Sequence, residues 1–267
     1  MLKTNAISPS RAANLRGRLA YMEAQNWSRI GSLVLADLTS EAALAGSGWA
    51  VRRTTNAGEV GLRHSLSVAL WLVKFAPPRK LFPWADTKCN VTFVDGAAEG
   101  EGHQNASVGA VLFAKALTKP LFFGLKVPRD IVEHWASKGS KHIITQAEIA
   151  PVLIAKRLWS NLYAQSRDLW FIDNEGARES LIGSTSTSWA ARELVFHIKL
   201  EGTTISPFDL FARVPTQANI ADWASRWEFE PLLQLEAEQK HPEFFTVKEL
   251  KSKACDILSL IVPPLDE

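Results

Sequence analysis

Four acidic residues of this chain lie where a folded core would hold them. Asp95 and Asp173 each close a short, mainly apolar run of the kind that forms buried strands. Glu148 lies at the start of a long helical pattern, and Asp222 lies in a late helical segment. If the four carboxylates meet, they repel one another unless a divalent cation neutralises them. The positions of these acids therefore predict a metal site.

A site of this composition is suited to phosphodiester hydrolysis. Two Mg²⁺ ions about 4 Å apart activate a water molecule and stabilise the leaving oxygen in such reactions. Each ion takes carboxylate oxygens and keeps several waters, and four acids can supply those oxygens. We therefore interpret the four acids as both metal ligands and catalytic residues, in the manner of a metal-dependent nuclease.

Each acid also has a simpler interpretation when it is considered alone. Asp95 with the following glycine is typical of a hairpin turn, and Glu148 is favourable beside a helix N-terminus. Asp173 and its following asparagine could be an N-cap pair, and Asp222 could be a solvated helix residue. The occurrence of all four in this order, on these elements, favours the functional interpretation.

The elements that must position the acids follow from the periodicity of the apolar residues. The predicted strands are 91–95, 108–115, 121–127, 168–173 and 207–214. The predicted helices are 128–135, 145–164, 174–182, 188–200 and 218–226. Three successive strands followed by alternating helices and strands indicate an α/β fold with a mixed five-stranded sheet and helices on its faces. Ligand sites in such sheets gather at the carboxyl ends of the parallel strands.

The remaining segments read as helical and suggest three regions. Helical patterns are predicted at 8–22, 30–38 and 60–75, and a linker follows at 76–90. We predict a helical region at 1–85, an α/β domain at 90–228 and a C-terminal helical tail at 229–267.

Composition sets broad limits on the class of protein. The 267 residues are 46% apolar and 22% charged, as in ordinary globular proteins, and the formal net charge is +2. The two cysteines, Cys89 and Cys255, are too few for a disulfide framework, so a reducing compartment fits. No secretory signal and no run of about 18 apolar residues is present. We expect a soluble, intracellular protein, with nucleus and cytoplasm left open.

Four segments resemble ribonuclease H domains: 91–97, 145–148, 170–174 and 212–226. The last is the most specific, because a proline, an asparagine, an Ala-Asp pair and a Ser-Arg pair recur in this order in retroelement ribonuclease H domains. Here these are Pro215, Asn219, Ala221-Asp222 and Ser225-Arg226. The resemblance implies a ribonuclease H-like fold, two Mg²⁺ or Mn²⁺ ions held by the four acids, and cleavage of the RNA strand of an RNA–DNA hybrid.

The N-terminal segment 8–19 is similar to the helical thumb or connection region that precedes such domains in reverse transcriptases. A Tyr-x-Asp-Asp polymerase motif is absent from the sequence. The chain thus resembles the C-terminal part of a retroelement reverse transcriptase without its polymerase core, which could be a separate partner.

The sequence departs from the family pattern in two places. Cellular ribonucleases H carry a histidine on the loop before the last acid, and this loop offers Arg213 instead. The span from Asp95 to Glu148 is also long, at 148 − 95 = 53 positions.

Several polar and basic residues near the acids are candidates for contact with nucleic acid, whose phosphates provide most of the binding affinity. They are Asn174, Lys138, Lys141, Arg178, Arg213 and Arg226. The alternatives are an exposed basic loop for the lysines, a place on a helix surface for Arg178 and Arg226, and a helix cap for Asn174.

The leading prediction is a divalent-metal-dependent endonuclease acting on RNA–DNA hybrids. Two alternatives stay open at this point. One is another nuclease of the same fold that acts on DNA. The other is a catalytically degenerate module that binds nucleic acid or a polymerase.

Overall fold

The computed structural model describes residues 7–26, 32–43, 66, 69–70, 72–74, 88–99, 105–137, 142–164, 166–186, 188–205 and 208–250. The chain divides into two compact units, one of Met1–Arg79 with Lys248–Glu267 and one of Lys80–Val247. The predicted three-region division stays a prediction. Among the described residues, no helix is long and apolar enough to cross a membrane.

The smaller unit contains two described helices that pack against each other, α1 (Pro9–Asn26) and α2 (Ser32–Ala43). Both were predicted, and Leu19 and Leu38 are buried as their spacing requires. The predicted helix at 60–75 lies mostly outside the described residues.

The larger unit begins with three strands and then alternates helices with strands. The strands are β1 (Lys88–Glu99), β2 (Asn105–Ala114), β3 (Leu121–Lys126), β4 (Ser166–Ile172), β5 (Phe208–Arg213) and β6 (Glu238–Gln239). The helices are α3 (Arg129–Ala136), α4 (Ile144–Leu158), α5 (Ser160–Tyr163), α6 (Glu175–Gly183), α7 (Trp189–Thr204), α8 (Ala221–Ser225) and α9 (Glu230–Gln234).

The strands form one mixed sheet in the order β5-β4-β1-β2-β3-β6. β1 is antiparallel to β2 and parallel to β4, and β4 is parallel to β5. The predicted mixed sheet with flanking helices is therefore confirmed. The predicted number of five strands is wrong, because β6 adds a sixth strand beside β3. A strand of two residues is too short to show the alternation of a β-strand in the sequence, so only its pairing with β3 reveals it.

Helix α4 is the central helix of the larger unit, and its residues from Gln146 to Lys156 are buried. It packs against β1 and β2 and against α7. The predicted single helix 145–164 is interrupted at Trp159, whose backbone leaves helical geometry at φ −108° and ψ 29°. The Trp159 ring is buried and packs 5.5 Å from the Phe123 ring, so tertiary packing accompanies the break.

Candidate metal centre

Asp95 lies within β1 and not at its end. The strand continues to Glu99, and Asp95 lies opposite Gly109 in the antiparallel ladder with β2. The alternative of a hairpin turn at Asp95-Gly96 is therefore wrong. The parallel ladder with β4, in contrast, ends at the Phe93 and Phe171 pair. Asp95 thus lies just beyond the carboxyl end of the parallel part of the sheet, where ligand sites are expected.

Glu148 is brought to Asp95 by the close approach of α4 to β1. A Cβ atom on Gly96 would lie 2.3 Å from the backbone carbon of Ala147 and 2.5 Å from the backbone nitrogen of Glu148. No side chain fits at such distances, so position 96 requires glycine. The absence of a side chain at one residue therefore allows the helix to place its glutamate beside the strand aspartate.

Asp173 follows the last residue of β4, and the residue after it caps a helix. Asn174 is the N-cap of α6, and its side chain accepts a hydrogen bond from the backbone N–H of Ala177 at 3.0 Å. Carboxylate oxygens of Asp95, Glu148 and Asp173 all lie within 4.8 Å of one another. Residues far apart in the sequence, on a strand, a helix and a strand end, thus form one acidic cluster.

Asp95 is held from the opposite side by the segment before and within α8. Asn219 donates from Nδ2 to Asp95 Oδ1 at 3.2 Å and to the carbonyl of Val94 at 3.1 Å. The Ser225 hydroxyl donates to Asp95 Oδ2. These two residues, both buried, fix the orientation of the aspartate carboxylate.

Helix α8 can lie this close to the sheet because two paired glycines leave room for it. Gly109 and Gly124 are paired across β2 and β3, in the same row as Asp95. A Cβ atom on Gly109 would lie 2.4 Å from the Ser225 nitrogen, and one on Gly124 would lie 2.3 Å from the Ala224 carbonyl oxygen. The row of a carboxylate and two glycines therefore positions the serine that binds Asp95.

Asp222 does not join the group of three acids. Its Oδ1 accepts a hydrogen bond from Arg226 Nε at 2.7 Å, and Arg226 Nη1 also lies 3.5 Å from Glu99 Oε1. Asp222 nevertheless lies near the cluster, because its charge contributes to the pKa values of Asp95 and Glu148. Only three of the four predicted ligands therefore converge in this structure.

The cluster is an unfavourable place for negative charge. The pKa of Asp95 is raised to about 6, mainly by burial. The charges of Asp173 and Asp222 also raise this pKa, whereas the Ser225 hydrogen bond and the Arg226 charge lower it. Burial also raises the pKa of Glu148 well above its usual range, with Asp95 and then Asp173 adding to the effect. Both groups therefore hold protons more tightly than free carboxylic acids do.

The oxygens of the cluster fit a divalent cation. Glu148 Oε2 and Asp173 Oδ1 are buried and have no hydrogen-bond partner among the described residues. Buried polar atoms are normally paired, so oxygens left without donors at the centre of an acidic cluster are suited to a cation. The donor set consists only of carboxylate oxygens, as in sites for Mg²⁺ and Mn²⁺.

The candidate nucleic-acid contacts have mixed outcomes. Asn174 serves as a helix cap, while Arg178 pairs with Glu175 on the same helix. Arg213 lies at the carboxyl end of β5, with Nε 3.9 Å from Glu175 Oε2. Lys138 and Lys141 lie outside the described residues, so their proposed contacts stay predictions.

Five residues with a part in this geometry were missed as site residues: Gly96, Gly109, Gly124, Asn219 and Ser225. Asn219 and Ser225 belong to the closing motif that carries the family resemblance, so the motif itself was the sequence signal that could have identified them. Both residues are buried in the structure. Gly96 follows Asp95 directly, but the helix it accommodates is about fifty positions away. Nothing local to the sequence indicates that approach.

Comparisons with known proteins give similarity only to solved structures. No protein-family model and no curated protein matches the chain. The N-terminal ribonuclease H domain of a Mycobacterium tuberculosis protein is 15% identical, with a TM-score of 0.38, over 57% of this chain and 100% of that one. A ribonuclease H1 named LC11, solved with an RNA/DNA hybrid, is 16% identical with a TM-score of 0.36, over 54% of this chain and 99% of that one.

A reverse transcriptase is also among the similar structures. The prototype foamy virus protease-reverse transcriptase is 15% identical with a TM-score of 0.36, over 58% of this chain and 22% of that one. At these identities and TM-scores, the similarities establish neither a family nor an activity for this chain.

Proposed function

We propose that the protein is a divalent-metal-dependent endonuclease that hydrolyses the RNA strand of RNA–DNA hybrids. The observation that carries the proposal is the meeting of Asp95, Glu148 and Asp173 within 4.8 Å, in a buried place with unpartnered oxygens. Three carboxylates at this distance, two of them on the buried residues Asp95 and Glu148, cost free energy in the folded protein, and a bound cation offsets that cost. An arrangement of this kind favours a catalytic metal site over a purely structural role.

The residues of the cluster would share the work of holding ions and substrate. Asp95, Glu148 and Asp173 would bind one divalent ion, and Asp222 would complete a second position. Bound Mg²⁺ or Mn²⁺ supplies Lewis-acid activation of a water molecule and charge stabilisation at the phosphate. Asn219 and Ser225 would keep the Asp95 carboxylate in its productive orientation. Arg213, which is exposed and pairs with Ile172, the residue before Asp173, would contact a phosphate of the substrate.

The choice of substrate and the origin of the chain are supported by the sequence motif. The order of Pro215, Asn219, Asp222 and Ser225-Arg226 is similar to retroelement ribonuclease H domains. A hybrid displays 2′-hydroxyls on one strand only, in a wide minor groove, and this lets a protein distinguish the RNA strand. We therefore propose a retroelement reverse transcriptase as the source of this domain, with a separate polymerase core as a possible partner.

The test is cleavage of a labelled RNA–DNA hybrid in Mg²⁺ and in Mn²⁺, with duplex DNA and duplex RNA as competing substrates. We expect cutting of the RNA strand of the hybrid, and a fall of at least roughly 100-fold in the Asp95→Asn variant. Cutting of duplex DNA alone would favour a DNA nuclease. Tight hybrid binding without any cutting in either metal would favour a non-catalytic binding module.

A further inference from the structure

Arg226 is partly exposed, and it binds the one predicted ligand that stays outside the cluster. Its Nε donates to Asp222 Oδ1 at 2.7 Å, and its Nη1 lies 3.5 Å from Glu99 Oε1. The guanidinium therefore spans an acid of α8 and an acid at the end of β1. Asp222 is the acid that a second ion beside the cluster would require.

We propose that Arg226 is an internal counter-ion that occupies the place of the second divalent ion. The chain then binds its first ion at Asp95, Glu148 and Asp173, and the second ion binds only when Arg226 releases Asp222. This inference rests on the proposed function, since it assumes that the cluster is a metal site.

The charges around Arg226 agree with this role. The anions that face it are Asp222, Glu99 and, through the charge interaction alone, Asp95. In turn, the Arg226 charge lowers the pKa of Asp95, so the guanidinium already offsets part of the cluster's negative charge. A divalent cation in the same place would act in the same direction with twice the charge.

The ion pair is also built so that it can open. Arg226 is 46% exposed and Asp222 is 28% exposed, and exposed ion pairs of this kind contribute little stability. A cleft of about 670 Å³ adjoins the pair, with Ser225, Arg226, Trp227 and Glu99 among its lining residues. The arginine side chain therefore has room to turn away, while the Ser225 hydroxyl keeps α8 attached to Asp95.

The test is a titration of the metal-free full chain with Mn²⁺ by isothermal calorimetry, with bound ions counted by electron paramagnetic resonance. Wild type is expected to bind one ion tightly and a second one weakly. In Arg226→Gln we expect the second ion to bind roughly 5- to 10-fold more tightly, because its competitor for Asp222 is gone. Adding Asp222→Asn to the Arg226→Gln variant is expected to abolish this increase in affinity for the second ion.

Arg129→Gln is the matched control, because Arg129 pairs through Nε with Glu133 at the same i, i+4 spacing, 2.9 Å apart, away from the cluster. Its titration should equal that of wild type. An unchanged or weaker second site in Arg226→Gln, in a variant whose circular dichroism matches wild type, overturns the inference alone. A wild-type titration that Asp95→Asn leaves unchanged overturns the proposed function as well, because the cluster then binds no metal.

Discussion

Helix α4 carries two buried ionisable residues, Lys156 and Glu148, and only Lys156 has an oppositely charged partner beside it. Near its C-terminal end, Lys156 is 0% exposed and its Nζ lies 2.7 Å from Asp209 Oδ1 of β5. The same Asp209 oxygen accepts a hydrogen bond from Trp170 Nε1 at 2.9 Å. Near the N-terminal end, Glu148 is 5% exposed, and its Oε2 has no hydrogen-bond partner in the described part of the chain.

The difference shows which acids are structural. A buried carboxylate with a structural role is paired with a cationic side chain and hydrogen-bond donors of the chain itself. Asp209 is such a residue, because it pairs with Lys156 and accepts a hydrogen bond from Trp170. The carboxylates of the cluster lie close together, and Glu148 Oε2 and Asp173 Oδ1 have no donor among the described residues, so the chain compensates their charge only in part. An ion from solution is the physical means of balancing them.

The largest effect is expected at the paired acid. Lys156→Ala leaves the Asp209 carboxylate without its cation in a site where its side chain is 9% exposed. We expect the free energy of unfolding to fall by about 3–5 kcal/mol, measured by chemical denaturation. The double variant Lys156→Met, Asp209→Asn is the control, and it should recover most of the loss, because no charge is then buried and an amide oxygen can still accept from Trp170 Nε1. An unchanged stability in Lys156→Ala would contradict the contrast between the two regions.

At the unpaired acids, removing a charge is expected to stabilise the metal-free protein. The pKa of Asp95 is about 6 in the folded state against a usual 3.8, so the folded state holds the proton more tightly than the unfolded chain. Stability therefore falls as pH rises from about 4 to about 6, and by pH 7.5 the loss is about 3 kcal/mol.

The variant Asp95→Asn carries no charge to lose, so it should unfold at a higher temperature than wild type at pH 7.5 in a chelator. At pH 4 the two should differ little. Mg²⁺ should raise the melting temperature of wild type and not that of the variant. A variant that is less stable than wild type at pH 7.5 would show that the cluster is not strained.

The glycine beside the cluster gives a test of its geometry. In Gly96→Ala the new Cβ would lie 2.3 Å from the Ala147 backbone, so α4 must move and take Glu148 with it. We expect a loss of stability of about 1–3 kcal/mol together with weaker Mn²⁺ binding. Gly17→Ala is the control, because its Cβ would meet nothing within 4 Å. Equal metal affinity in wild type and Gly96→Ala would contradict the role assigned to this contact.

The smallest effect is expected from the hydroxyl that supports Asp95. Ser225→Ala removes a hydrogen bond that lowers the pKa of Asp95, so that pKa should rise further. Metal binding requires the ionised carboxylate, and the acid limb of Mn²⁺ affinity should therefore move to higher pH. Calorimetric titrations from pH 5 to pH 8 measure this shift. The control is Ser107→Ala, which removes a hydrogen bond to the Ser225 carbonyl and keeps the one from Ser225 to Asp95. It should shift the acid limb of Mn²⁺ affinity less than Ser225→Ala does.

The elements around the site were predictable to different degrees. The strand before Asp173 and the cap at Asn174 have local signals, an apolar run and an asparagine at a helix start, and both were found. The extent of β1 beyond Asp95 was not found, because Gly96, Ala97 and Ala98 lack strand propensity and are held extended by pairing with β2. The pair of Asp222 and Arg226 has a local signal, the spacing of four positions on a helix, but this spacing was not used to predict the pair.

The sequence by itself determined the mixed sheet with flanking helices, because apolar periodicity and turn residues are properties of neighbouring positions. It also carried the four acids on these elements and the closing motif of residues 212–226. Only the tertiary structure decided that three of these acids meet, that glycines at 96, 109 and 124 admit two helices, and that Asn219 and Ser225 bind Asp95. Close approach and charge pairing depend on distances between remote segments, and those distances exist only after the chain has packed.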